Sequence, residues 1–159
     1  MNAMNATLRS ACSRFAAAAS LVLLIAGCAS QAPASRSSEL AADQRAALAC
    51  TLPTNCVNSF DSAGLGPLRY EGSSAQGLAV LRATLTEFPE AQIVSADGLS
   101  LEAVFTTPLG FRDRVDFRID AQARRIDYRS RSSFGLFDFG KNRSRMSAFS
   151  ARFERNAGR

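Results

Sequence analysis

Histidine is absent from the 159 residues, so the commonest general base and the commonest metal ligand are both missing. The remaining side chains able to do chemistry are carboxylates, arginines and thiols. Asp113 with Asp116 or with Asp138 could serve as an acid and a base, but their spacing matches no hydrolytic pattern. No Ser-His-Asp set, no G-x-x-x-x-G-K phosphate loop and no metal-ligand cluster is visible, so neither a cofactor nor a metal is expected. Arg112, Arg114, Arg131, Arg143 and Arg145 gather around a stretch bracketed by Gly135 and Gly140. Guanidinium forks near free helix N–H groups suit phosphate or carboxylate, which makes these five the candidate anion or partner contacts.

The four cysteines are explained by the start of the chain. Arg9 and Arg14 precede an apolar run over 15–27, FAAAASLVLLIAG. That run fits the core of an export signal and falls short of the about 20 residues that span a bilayer. It ends in Ile25-Ala26-Gly27-Cys28, which resembles the lipobox of bacterial lipoproteins. Small residues admit a peptidase there, and the thiol accepts the diacylglyceryl group. The resemblance implies a signal peptide over 1–27 and lipid attachment at Cys28. Membrane contact is then through acyl chains, palmitate included. Ala29 rather than Asp at the next position resembles the outer-membrane sorting pattern, so the expected place is the cell envelope, facing the periplasm. An ordinary secretory signal is the alternative. Cys12 leaves with such a signal, and removal of Arg9 and Arg14 lowers the net charge from +5 to +3. Outside the cytoplasm a mildly basic domain meets anionic envelope components or envelope proteins rather than nucleic acid. Cys50 and Cys56 remain, in an oxidising compartment, and read as a disulfide across a short loop. Free thiols or a redox pair are the alternative, although the spacing is not that of a CxxC motif.

The elements that must position these groups lie beyond residue 50. Residues 28–49 are rich in Ala, Ser and Gln and read as a lipidated Cys followed by a flexible tether, briefly helical around 39–48. A reach on the order of 25 Å follows for about twenty flexible residues. Residues 50–159 form one domain. Ser73-Ser74-Ala75-Gln76 is a capping box opening a helix, with Leu78, Leu81, Leu85 and Phe88 on one face and Pro89 at its end. Four strands follow, over 92–96, 99–106, 112–120 and 125–132, with Asp97-Gly98 as a hairpin turn between the first two. A last helix over about 141–155 carries Met146, Phe149 and Phe153 at helical spacing. The fold class is therefore α+β: an antiparallel sheet of about four strands with two helices packed on one face. One register explains the third and fourth strands together. Pairing Asp120 with Arg125 places Ile119 opposite Ile126 and Phe117 opposite Tyr128. On the other face it sets Arg118 against Asp127 and Asp116 against Arg129, which reads as a solvated charge ladder.

The run Arg129-Ser130-Arg131-Ser132-Ser133-Phe134-Gly135-Leu136-Phe137-Asp138-Phe139-Gly140-Lys141-Asn142-Arg143 resembles the signature of the family catalogued as domain of unknown function 1499, R-S-x-S-R-x-G-x-x-D-x-G-x-N-R. Asn55-Cys56-Val57-Asn58-Ser59 is similar to its opening N-C-V-S-S, and 111–117 to its F-x-D-D-x-x-F strand. The resemblance covers about residues 53–155. The chain departs at Arg114, where a second acid is usual, at Ser133, where Arg is usual, and at Phe137, where a small polar residue is usual. It implies a fold group and carries no activity. Within the signature, Gly135, Asp138, Gly140 and Asn142 read as a structural lock between the last strand and the last helix. Asp138 caps that helix or pairs with Arg143, and Asn142 lies on its buried stripe. Phe134, Phe137 and Phe139 could line an apolar wall, but a phenylalanine cluster more often belongs to the core. The functional expectation is a non-catalytic envelope module, binding or structural, that works through its arginine-rich end. The alternatives are a carrier of a small apolar or anionic ligand and, further off, a hydrolase built on the carboxylate pair. The sequence leaves the oligomeric state open.

Overall fold

A computed structural model describes residues 41–60 and 64–158 of the chain. Two long helices, α1 (Ser74–Thr86) and α2 (Lys141–Ala157), accompany six strands. The strands are β1 (Cys56–Asn58), β2 (Leu68–Arg69), β3 (Ala91–Asp97), β4 (Ser100–Thr106), β5 (Arg112–Asp120) and β6 (Arg125–Ser132). Residues 41–47 are also helical. The sheet is antiparallel throughout, in the order β1-β6-β5-β4-β3, with β2 also on β6. β1 pairs with Arg129–Arg131 and β2 with Arg125–Ile126, so two short strands share one edge end to end. The class is α+β, with two more strands than the alternation of residues suggested and, besides the two expected domain helices, the short helix at 41–47 where a brief helical stretch of the tether was expected. Strands of two and three residues carry no period of their own. They are strands because β6 offers an unpaired edge.

The β5–β6 register is the one that residue pairing required: Asp120 opposite Arg125, Ile119 opposite Ile126, Phe117 opposite Tyr128 and Asp116 opposite Arg129. A slip by one residue would turn every apolar side chain to the wrong face. The β3–β4 connection differs slightly. Asp97 pairs with Ser100, so Gly98 and Leu99 form the two-residue turn, and a bulge between Ile93 and Ser95 adjusts β3.

Both long helices pack on the face carrying Leu101, Ala103, Phe105, Val115, Phe117, Ile119, Ile126 and Tyr128. Ser73 and Gln76 form the reciprocal capping box of α1. Gly77, one turn on, is required because a Cβ there would meet the Tyr70 ring at 2.7 Å. Met146, Phe149 and Phe153 of α2 are fully buried, and the Phe149 ring centroid lies 5.4 Å from those of Phe88 and Phe117. The space between sheet and helices is thus filled by side chains.

The second face of the sheet corrects the solvated-ladder expectation. Asp127 is 0% exposed. Its Cα partner is Arg118, but its charge partner is Arg125, with Nε at 3.2 Å, and Ser59 Oγ donates to it at 3.2 Å. Arg129 donates from Nη2 and Nε to the one oxygen Asp116 Oδ2, at 2.7 and 3.1 Å, and from Nη1 to the Ala49 carbonyl at 3.0 Å. Leu48 is fully buried, and Asn58 Nδ2 donates to its carbonyl. The stretch before Cys50 therefore packs against this face and takes part of the charge ladder out of water.

Candidate functional site

Strand alternation divides the sequence candidates before any longer-range contact does. Asp113 points to the helix side and Asp116 to the opposite side, because successive residues of β5 face opposite ways. The two carboxylates cannot converge. Asp113 is instead paired with Arg145, whose Nη2 lies 2.5 Å from Oδ2, and both side chains are buried. The Arg145 guanidinium also lies 5.0 Å from the centre of the Phe105 ring.

Arg145 leads to a buried polar knot. Its Nη1 donates to Asn142 Oδ1 at 2.9 Å, and Ser130 Oγ donates to the same oxygen at 2.6 Å. Asn142 Nδ2 donates to the Asn55 carbonyl and to Ser132 Oγ, both at 3.1 Å. Asn142 is fully buried, and its amide is satisfied at every position, as a buried amide must be. Asp138 accepts from the backbone N–H groups of Gly140 and Asn142 at 3.0 and 2.8 Å, which caps the start of α2. Gly135 and Gly140 both have positive φ, at 88° and 76°. Asn55 Nδ2 donates to the Gly135 carbonyl, Thr54 Oγ1 to the Leu136 carbonyl, and Asp138 N–H to the Thr54 carbonyl. Thr54 and Asn55 belong to the loop closed by the Cys50–Cys56 disulfide, with sulfurs 2.05 Å apart. Gly135, Asp138, Gly140 and Asn142 thus form a lock, and the disulfide loop is its third member. The parts of Thr54, Asn55 and Ser132 in this lock were not read from the sequence, because contacts between a loop, a strand end and a helix leave no periodic trace.

The five arginines do not form one cluster. Arg145 is committed to Asp113. Arg114 pairs with Glu102 at 3.0 Å on the opposite face, directly across from Arg131. Arg143 lines a pocket beside the disulfide with Arg45, Pro53 and Phe60. Arg112, Arg131 and Lys141 are exposed, and among the described residues no carboxylate pairs with them. Arg112 and Lys141 line one pocket of about 290 Å³ together with Phe111, Phe134, Phe137 and Phe139. The phenylalanines of the signature are therefore surface residues rather than core. Phe134 is 78% exposed, Phe137 62% and Phe139 99%. The neighbouring pocket, about 550 Å³, shares Thr107 and Lys141 and is walled by Phe88, Pro89 and Pro108.

A family model described as "Protein of unknown function (DUF1499)" matches residues 28–153. The chain belongs to this family. No curated protein matches it. In this member the polar residues of the segment just described build the lock. Among the described residues, no group of three or more Cys, Asp or Glu is placed to hold a metal, and no helix is long and apolar enough to cross a membrane. Cys28 lies outside the described residues.

Proposed function

We propose that this DUF1499 protein is a lipid-anchored, non-catalytic module of the bacterial envelope, facing the periplasm, that binds an anionic envelope component through one cationic end. The observation that carries the binding end is that Arg112 and Lys141 line one pocket, that Arg131 lies opposite Arg114 next along the sheet face from Arg112, and that among the described residues no carboxylate pairs with the three, while the acids beside them, Asp113 and Asp138, are turned inward to Arg145 and to the helix start. Unpaired guanidinium groups held on a rigid frame are poised for phosphate or carboxylate. The anchor rests on the sequence alone: the signal over 1–27 and the thiol at position 28. Of the tether expected over 28–49, the part near Leu48 packs on the sheet, and 28–40 remain as the link from anchor to domain.

Two measurements test the two halves. Intact mass of the protein purified from its own membranes should begin at an acylated Cys28, and a chain retaining Met1 would overturn the anchor. The detergent-solubilised chain should be retained on immobilised lipopolysaccharide and elute with salt, and Arg112→Glu/Arg131→Glu should elute at lower salt. Equal elution of the two proteins would overturn the cationic end.

A further inference from the structure

The end that carries the unpaired cations also carries an apolar crown. Two loops meet there, residues 107–111 between β4 and β5 and residues 133–140 between β6 and α2. They expose Leu109 (83%), Phe111 (51%), Phe134, Leu136 (65%), Phe137 and Phe139. Single exposed apolar residues are ordinary, but six on two adjoining loops mark a contact surface. Phe139 is held at φ 52°, a left-handed conformation that a bulky side chain rarely adopts, and it is almost wholly exposed. Local strain that serves no packing belongs to function.

We propose that this crown inserts into the interfacial layer of an anionic lipid bilayer, with Arg112, Arg131 and Lys141 meeting the headgroups. The inference rests on the cationic end proposed above and names its partner. Three features favour a bilayer over a protein groove. The loop backbones are tied in part by hydrogen bonds within the domain. Thr107 N–H donates to Phe111 O, Gly110 N–H to Thr107 O and Ser133 N–H to Arg112 O, and the Gly135 and Leu136 carbonyls accept from Asn55 and Thr54. Each of these bonds is one polar group fewer to desolvate when the loops enter an apolar phase. The crown consists of Phe and Leu and has cations at its rim, as interfacial membrane anchors do. The lock holds the loops in place beforehand, so little conformational freedom is lost on insertion.

The geometry of the chain permits this in the bilayer that holds Cys28. Ala41 lies beside the β5–β6 turn, at the opposite end of the sheet from the crown. A nine-residue strand such as β5 measures roughly 30 Å. The chain between Cys28 and Ala41 can extend to roughly 45 Å. Lipid attachment and crown can therefore engage the same surface with the sheet lying along it.

The sequence contains no tryptophan, so one can be placed as a sole reporter. The full chain carrying Phe139→Trp, reconstituted in vesicles containing phosphatidylglycerol, should show blue-shifted emission that is quenched by lipids brominated on the acyl chains. The same reporter at the turn, Ala123→Trp, should show neither effect. Adding Phe134→Ser/Leu136→Ser should abolish the quenching at position 139 with an unchanged Tm, because those side chains are exposed. Arg112→Glu/Arg131→Glu should weaken the quenching on phosphatidylglycerol vesicles. Emission at position 139 that stays at its aqueous wavelength on vesicles overturns the proposal. So does a blue shift that needs only protein concentration or a vesicle-free envelope extract, which would indicate a second copy or a protein groove. If position 139 stays in water while the arginine variant still loses retention on lipopolysaccharide, the bilayer inference falls and the cationic end stands.

Discussion

Two adjoining parts of one short segment obey opposite rules. Between Ser130 and Arg145, Ser130, Asn142 and Arg145 are buried and hydrogen-bonded to one another, while Phe134, Phe137 and Phe139 face water. In an ordinary loop-to-helix junction the phenylalanines would seek the core and the polar side chains would be solvated. The inversion teaches that the polar residues do the structural work here. The apolar ones are left free for contact, because nothing in the fold needs their burial.

The sharpest way to break the comparison is through Arg145. Arg145→Met should cost about 3–5 kcal/mol, because it leaves Asp113 buried without its partner and removes a donor from Asn142. Urea unfolding measures this, and adding Asp113→Leu should recover much of the loss. Reduction of Cys50–Cys56 comes next. It should lower stability by about 2 kcal/mol, as expected for a short closed loop, and should speed amide exchange at the N–H of Asp138, which is tied to Thr54. Identical melting curves with and without reductant would contradict it. The crown should respond in the other direction. Phe139→Gly should leave the protein as stable or more stable by up to about 1 kcal/mol, since it relieves the positive φ and removes no buried surface. A clear loss of Tm would mean that the ring is packed after all.

The smallest effect concerns pH. Burial raises the Asp127 pKa above the ordinary carboxyl value, against the opposing pull of Arg125 and the Ser59 hydroxyl. A carboxyl with a raised pKa in the folded state favours folding while protonated. Its contribution is present below the ordinary carboxyl range and fades as pH rises through the folded value. Asp127→Asn should therefore make stability fall less between about pH 4 and neutrality. A wild-type slope retained in the variant would show that other groups set it.

Much of the frame was legible because some residues admit one arrangement only. Asp116, Phe117, Ile119 and Asp120 fit Arg129, Tyr128, Ile126 and Arg125 in a single register, and that register is the one observed. Ser73 and Gln76 specify a helix start by local hydrogen bonds alone. The lock at Gly135, Asp138, Gly140 and Asn142 was legible as a motif. Its partners Thr54, Asn55, Ser130 and Ser132 were not, since they are brought in from separate strands and loops. The five arginines looked like one group because they are near in sequence. Alternation along β5 and β6 sends Arg112, Arg114 and Arg131 one way, while Arg145 lies under the other face.

The sequence by itself determined the register of β5 against β6 and the first helix start, and it pointed to a short disulfide loop at Cys50 and Cys56. Each follows from local period, capping or a short loop, and local rules do not depend on what packs above them. Only the tertiary structure decided which side of the charge ladder meets water and which way the phenylalanines point. Burial is a property of whatever covers a face. At Asp127 the cover comes from Ser59 and the residues around Leu48, while over Phe139 no described residue provides any.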